Sequence, residues 1–267
     1  MERRAFDQFR KLVYERSGIA LSEQKEALVS ARVAKRMRAL QIDTHRDYLD
    51  YVTDDRSGSE IVRLMDVITT NVTSFFREPD HFDVLRDYVK DKLGQGRRRF
   101  RFWSAACSTG EEPYSMAITI SEVLGGRNAD VKILATDLST SVLRHCTAGV
   151  YEQKRVETVP SALLKRYFTK QGRNEAAQYT VGSDLRKLIV FRRLNLSRPP
   201  FPMKGPLDIV FCRNVMIYFD NRVRRALLAD IYRLLAPEGY LLVGHSESLT
   251  GMVSDFGPLR PSVYRKQ

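Results

Sequence analysis

The sequence predicts a mostly parallel α/β sheet, preceded by a small all-helical N-terminal domain and carrying a small antiparallel β insertion. Three observations carry this expectation. Residues 1–70 place apolar side chains at helical spacing, and strand-like alternation is absent before Arg97. From Arg99 onward, short runs of β-forming residues alternate with helix-like stretches, the pattern of parallel strands joined by crossover helices. Over residues 167–192 that rhythm is interrupted by strand-like segments joined by polar turns.

In chain order, Phe6, Phe9, Leu12 and Val13 define the inner face of a first helix, which Gly18 ends. Ser22, with Glu23 and Glu26 behind it, starts a second helix running to Leu40. Amphipathic stretches follow at 45–52 and 60–68. The strand-like runs are 100–103, 131–136, 207–212 and 240–243. The insertion comprises strands at 167–169, 178–181 and 187–191, with turns at Gln171-Gly172 and Gly182-Ser183. The expected division is a helical domain over 1–70, a linker and connecting helix over 71–98, and an α/β domain over 99–267 with the β-subdomain at about 167–192.

Lysine and arginine outnumber aspartate and glutamate 44 to 32 in 267 residues, a net charge of +12. Such an excess suits nucleic acid, an anionic membrane surface or an acidic protein, and equally a merely solubilising surface, so charge alone does not choose. No apolar run approaches the length of a membrane span. The opening MERRAFDQFRKLVYE lacks a signal-peptide core, so a cytoplasmic location is expected. Cys107, Cys146 and Cys212 are odd in number and sit in apolar surroundings, which suits buried small hydrophobes in a reducing compartment better than a disulfide framework or zinc site. His45, His81, His145 and His245 show no HExxH or paired spacing, so no metal is expected.

The stretch FWSAACSTGEEPYSMA places a small-residue turn between a strand and a helix. Such a turn usually cradles phosphate on the helix N-terminus, but Glu111 and Glu112 occupy that end and would repel it. The next strand, in ILATDLS, delivers Asp137, either an acceptor for ribose hydroxyls or a helix cap. Carboxylates without a phosphate cradle fit a cationic, unphosphorylated nucleoside, and S-adenosylmethionine is such a ligand. In LDIVFCRNVMIYF a buried strand ends in Arg213 and Asn214, a polar pair between apolar runs that calls for a buried or ligand-facing role.

The motifs TTNVTSFFREPDHF, WSAACSTGEEPYS, ILATDLS, LNL, DIVFCRNVMIYF and GHSESL, in this order, resemble those of the CheR-type chemotaxis receptor glutamate methyltransferases. The resemblance spans essentially the whole chain and implies a Rossmann-like class I methyltransferase fold. It also implies transfer of a methyl group from S-adenosylmethionine to glutamate side chains of membrane chemoreceptors, with S-adenosylhomocysteine as product. By position it implies that Asn71, Thr73 and Arg77 close over the cofactor, Arg77 meeting its carboxylate. Glu111 would accept from the amino group, Asp137 from the ribose. Asn195 and Leu196 would lie beside the adenine, and Arg213 and Asn214 on the sulfur side. Tyr218 resembles an aromatic hydroxyl near the methyl, though a simple core tyrosine fits as well.

A glutamate with a pKa of about 4.3 is already an anion at neutral pH, so methyl transfer to it needs no general base. On the second helix, Lys25, Arg32, Lys35 and Arg36 share a face opposite Ala27, Val33, Ala34, Met37 and Leu40. That face is either a solvated surface or, as the resemblance implies, a docking site for the receptor's cytoplasmic helices. The resemblance further implies that the β-subdomain binds a receptor C-terminal peptide in some members. Two rival readings stand beside these. A nucleic-acid methyltransferase would suit the basic charge, but the Asn/Asp-Pro-Pro-aromatic motif common in such enzymes is missing after the fourth strand, RPPFP lying before it. A cofactor-binding sensor without turnover is the other.

Overall fold

The computed structural model describes residues 2–68, 72–173, 176–249, 251 and 255–267, except the Lys25 side chain. Helix α1 (Arg3–Ser17) buries Phe6, Phe9 and Val13 and ends at Gly18, whose φ is +74° and whose N–H reaches Tyr14 C=O. A Cβ at Gly18 would meet Ser197 Cβ at 2.3 Å. Glycine therefore serves both the left-handed cap and a close approach to the distant loop. After a short 3-10 turn, α2 (Glu26–Leu40) buries Val29, Val33 and Met37. Helix α3 (His45–Asp54) is capped by the Thr44 hydroxyl accepting Asp47 N–H, and α4 (Ser59–Ile68) completes the helical segment.

Next come α5 (Asp80–Gly94), β1 (Arg99–Ser104), α6 (Glu111–Leu124), β2 (Asp130–Asp137) and α7 (Thr140–Ala148). The chain continues through β3 (Val150–Glu152), α8 (Gln153–Val156), α9 (Ser161–Tyr167), β4 (Phe168–Gln171), β5 (Gln178–Val181) and α10 (Ser183–Lys187). Then follow β6 (Ile189–Arg193), β7 (Leu207–Cys212), α11 (Asn221–Leu234), β8 (Leu235–Val243), β9 (Phe256–Arg260) and β10 (Val263–Lys266).

The main sheet has the order β6-β2-β1-β7-β8-β10-β9. Its pairings from β6 to β8 are parallel, and β10 is antiparallel to both β8 and β9. From β1 the chain first builds outward through β2 to β6, then returns to add β7 on the opposite side. The carboxyl ends of β1 and β7 therefore flank a topological switch point, where a ligand crevice is expected.

The insertion differs from its expected boundaries. Its sheet is β3-β5-β4, so it begins at Val150, in a strand too short to read from periodicity. The strand expected over 187–191 instead joins the main sheet, Ile189 pairing with Ile133 and Val190 with Leu134 of β2. An apolar run announces a strand but not its partner, and the open edge of β2 offered the longer parallel pairing.

The helical segment is not a separate body. Phe6, Phe9, Val33, Tyr48 and Leu64 belong to one apolar cluster with Trp103, Val210, Leu227 and Leu241 on one face of the main sheet. The opposite face is covered by α5, α6 and α7, burying Leu85, Tyr114, Ile118 and Cys146 against Phe102, Ile133 and Phe211. The antiparallel insertion packs at the end of this second layer.

Candidate functional site

A cleft opens at the switch point, lined by the ends of β1, β2, β6 and β7, by α4, and by the segment 72–77. Its floor is the turn after β1. Tyr151 of the insertion donates from its hydroxyl to Thr109 C=O at 2.8 Å, fixing that turn from behind. Gly110 has φ +98°, and a Cβ there would meet Tyr151 Oη at 2.7 Å and Cys146 Sγ at 3.1 Å, so only glycine lets the turn close against the insertion.

The two glutamates at the start of α6 diverge. Successive helical residues point about 100° apart. Glu112 reaches the cleft wall, its Oε1 accepting from Ser104 Oγ at 2.6 Å. Glu111 is fully buried away from the cleft, accepting from Thr109 Oγ1 at 2.6 Å with Arg155 Nη1 3.5 Å away. The carboxylate expected at position 111 is thus presented by its neighbour. Burial pushes the Glu112 carboxyl up, with Arg213 pulling the other way.

Asp137, at the end of β2, accepts Ser108 N–H at 2.9 Å and Ser139 N–H at 3.0 Å. Burial raises its pKa to about 6 despite those bonds. Asp137 braces the turn before α7 and lines the cleft. The cap of α7 itself is Ser139.

Arg213 is the centre of the opposite wall. Its side chain, only 2% exposed, donates from Nε and Nη2 to Glu78 Oε2 at 3.2 and 2.9 Å and from Nη1 to Glu112 Oε2 at 3.1 Å. A further Nη2 bond goes to Arg77 C=O. Arg213 therefore ties the linker to the start of α6. Its charge, with its hydrogen bonds, holds Glu78 below the usual carboxylate range although burial works against this. Asn214 follows with φ +57°, a strained position for a side chain larger than glycine. Glu247 holds it there, accepting Asn214 N–H and Gly244 N–H at 2.7 Å each and Ile217 N–H at 3.2 Å. The motif GHSESL was visible in the sequence, but its glutamate's role in bracing the Arg213-Asn214 turn was not.

Thr73, Arg77, Leu196 and Tyr218 also line the cleft. Arg77 donates to Val72 C=O at 2.7 Å. Asn71 lies outside the described residues. Asn195 lines the cleft too, but its amide is engaged: Nδ2 donates to Arg16 C=O at 2.9 Å, and Oδ1 accepts from Ser197 N–H and Oγ. Asp66 of α4 was missed by the sequence reading. It lines the cleft and accepts from Ser139 Oγ and Ser141 Oγ at 3.0 Å each, and burial raises its pKa. Its signal, an acid inside the apolar LMDVI stretch, was there to be used.

The basic face of α2 needs correction. Arg36 forms a two-pronged ion pair with the 2%-exposed Glu60, both bonds at 2.6 Å, and Tyr48 donates to the same carboxylate at 3.0 Å. Arg32 donates to the last carbonyls of α4, Val67 and Ile68. Both arginines therefore hold the helical segment together. Lys35 and Arg38 are exposed, and so is Ala27, which was expected on the buried face.

A family model described as CheR methyltransferase, SAM binding domain, matches residues 71–264, and a second, CheR methyltransferase, all-alpha domain, matches residues 4–69. The chain belongs to the CheR methyltransferase family. It is 43% identical over 246 residues to chemotaxis protein methyltransferase 2 of Pseudomonas aeruginosa, covering 92% of this chain and 87% of that protein. It is 36% identical over 254 residues to the chemotaxis protein methyltransferase of Salmonella typhimurium, covering 95% and 87%. Against the Escherichia coli protein of that name the figures are 35% over 259 residues, 97% and 89%. The protein is a chemotaxis protein methyltransferase, and its cofactor is S-adenosylmethionine.

The cleft fits that cofactor. Of the charged side chains lining it, Asp66, Glu112 and Asp137 are acidic. Arg213 is already engaged by Glu78 and Glu112, leaving Arg77 at the mouth. Ser108 Oγ is buried beside Asp137 without a hydrogen-bond partner among the described residues, an unused polar atom on the wall. Acceptors predominate over phosphate-binding donors, as a cationic nucleoside requires. Among the described residues no helix is long and apolar enough to cross a membrane.

Proposed function

We propose that the protein transfers the methyl group of S-adenosylmethionine to glutamate side chains of membrane chemoreceptors, forming methyl esters in chemotactic adaptation. The observation that carries this reading is the pairing of family matches over residues 4–69 and 71–264 with a cleft lined by three carboxylates, Asp66, Glu112 and Asp137, that can accept further hydrogen bonds from the cofactor. The bound cofactor supplies an activated, positively charged methyl donor. Its acceptor arrives as an anion, so the protein has no proton to remove. Asp137 takes the ribose hydroxyls, and Glu112 takes the amino group, whose positive charge favours the ionised carboxylate. Arg213 and Glu247 keep the opposite wall in place, Thr73 and Arg77 close the mouth, and Tyr218 borders the reacting end. Positioning and exclusion of water then lower the barrier to a displacement in which opposite charges neutralise.

Receptor docking falls to the exposed basic residues Lys35 and Arg38. The three-stranded insertion leaves β3 and β4 as sheet edges, where a receptor C-terminal peptide would add by strand pairing. Incubation with radiolabelled S-adenosylmethionine and receptor-containing membranes should give base-labile label on the receptor. Label on duplex nucleic acid instead, or tight cofactor binding with no transfer at all, would defeat the reading. Titration with a receptor C-terminal peptide tests the insertion separately.

A further inference from the structure

Behind the Arg213 wall lies a group of side chains that the transfer reaction does not use. His81, in the first turn of α5, is fully buried. Ser262 Oγ donates to Pro261 C=O at 2.7 Å and lies 2.7 Å from His81 Nε2. The other ring nitrogen, Nδ1, is also buried. That atom has no hydrogen-bond partner among the described residues, yet it faces Glu78 Oε2 at 3.5 Å. A cation between this unpartnered buried nitrogen and the carboxylate would satisfy both groups.

A third donor is in place. The His245 ring meets His81 edge-on with centroids 5.1 Å apart, and Glu78, His81 and His245 each offer one ligand atom within 4.8 Å of the others. Two ligands bound at about 2.1 Å in tetrahedral geometry sit about 3.4 Å apart, which the His81–Glu78 pair already matches. His245 is half-exposed, giving an entry path and freedom to close the remaining gap. Asp80 lies 3.1 Å from His245 Nε2, an outer-shell carboxylate that orients the imidazole and helps offset the charge of Arg213. The histidines are far apart in sequence, so no spacing motif could announce the cluster.

We infer that Glu78, His81 and His245 form a Zn²⁺ site on the back of the cofactor cleft. Because Glu78 Oε2 is also the main anchor of Arg213, metal binding draws that carboxylate away from the guanidinium and loosens the wall it supports. The site is inhibitory, linked to the cofactor through one shared oxygen.

Calorimetric titration of the full chain with zinc chloride should give one saturable site. H245A and H81Q should each weaken it by more than about tenfold, with far-UV circular dichroism confirming that both fold, and H145A should leave it unchanged. Zinc-edge absorption should report imidazole nitrogen together with carboxylate oxygen. Adenosylhomocysteine, titrated in parallel, should bind about fivefold more weakly when Zn²⁺ is present. Absence of saturable uptake, or uptake unaltered in H245A, overturns the site; equal adenosylhomocysteine affinity with and without metal overturns the linkage. Neither readout depends on what substrate the enzyme methylates.

Discussion

Glu111 and Glu112 show how finely a site can turn on one residue. Both are acidic, both begin the same helix, and only the helix phase decides which faces the cleft. E112Q should therefore lower adenosylhomocysteine affinity by about 2 kcal/mol, roughly thirtyfold, while E111Q leaves it within about threefold, as titration calorimetry would show. Equal losses would mean that the glutamates do not have separate roles. Asp137 adds a pH dependence. Its folded-state pKa, raised to about 6 from 3.8, makes the folded chain the better proton binder. Its contribution to stability is thus fully present below 3.8 and is lost as pH rises through about 6. Cofactor binding runs the opposite way, because ribose hydroxyls donate to the ionised form. Adenosylhomocysteine affinity should fall about tenfold per pH unit below 6, and a flat profile between pH 5 and 7 would exclude Asp137 as the ribose acceptor.

At the scale of elements, α2 carries the clearest lesson. Its wheel separates charge from apolar surface, and sequence pattern alone reads the charged side as free. The fold instead brings the buried Glu60 of α4 beneath Arg36, turning one of those charges into a structural necessity. R36A removes the two-pronged partner of a buried carboxylate and should destabilise the protein by about 3 kcal/mol in urea unfolding. K35E, on the exposed side, should change stability by less than about 0.5 kcal/mol. A docking test by charge reversal belongs at Lys35 and Arg38, where loss of receptor methylation would not be confused with loss of fold. The insertion teaches the same point about strands. Its segments were legible as strands, yet whether 189–193 paired with its sequence neighbours or with β2 depended on an edge formed far away in the chain.

For the whole molecule, the decisive feature is that the helical segment and one face of the sheet share an apolar cluster. Their folding should be inseparable. Calorimetry should record a single unfolding transition, and adenosylhomocysteine at a hundred times its dissociation constant should raise it as one unit, by about 2.7 kcal/mol of added stability. Two transitions, only one of them moved by ligand, would show that the segments are independent. The shared core also explains why Asp66, on α4, can line the cofactor cleft at all: the helical segment supplies part of the wall.

The sequence by itself determined the element types, the parallel sheet and the acidic, phosphate-free character of the crevice, because propensity, periodicity and charge are local and survive without the fold. Which glutamate faces the ligand, which arginines are free, where the last insertion strand pairs and that His81, His245 and Glu78 meet were decided only in three dimensions. Each of those depends on the direction of a side chain or on a neighbour from a remote part of the chain, and packing alone sets both.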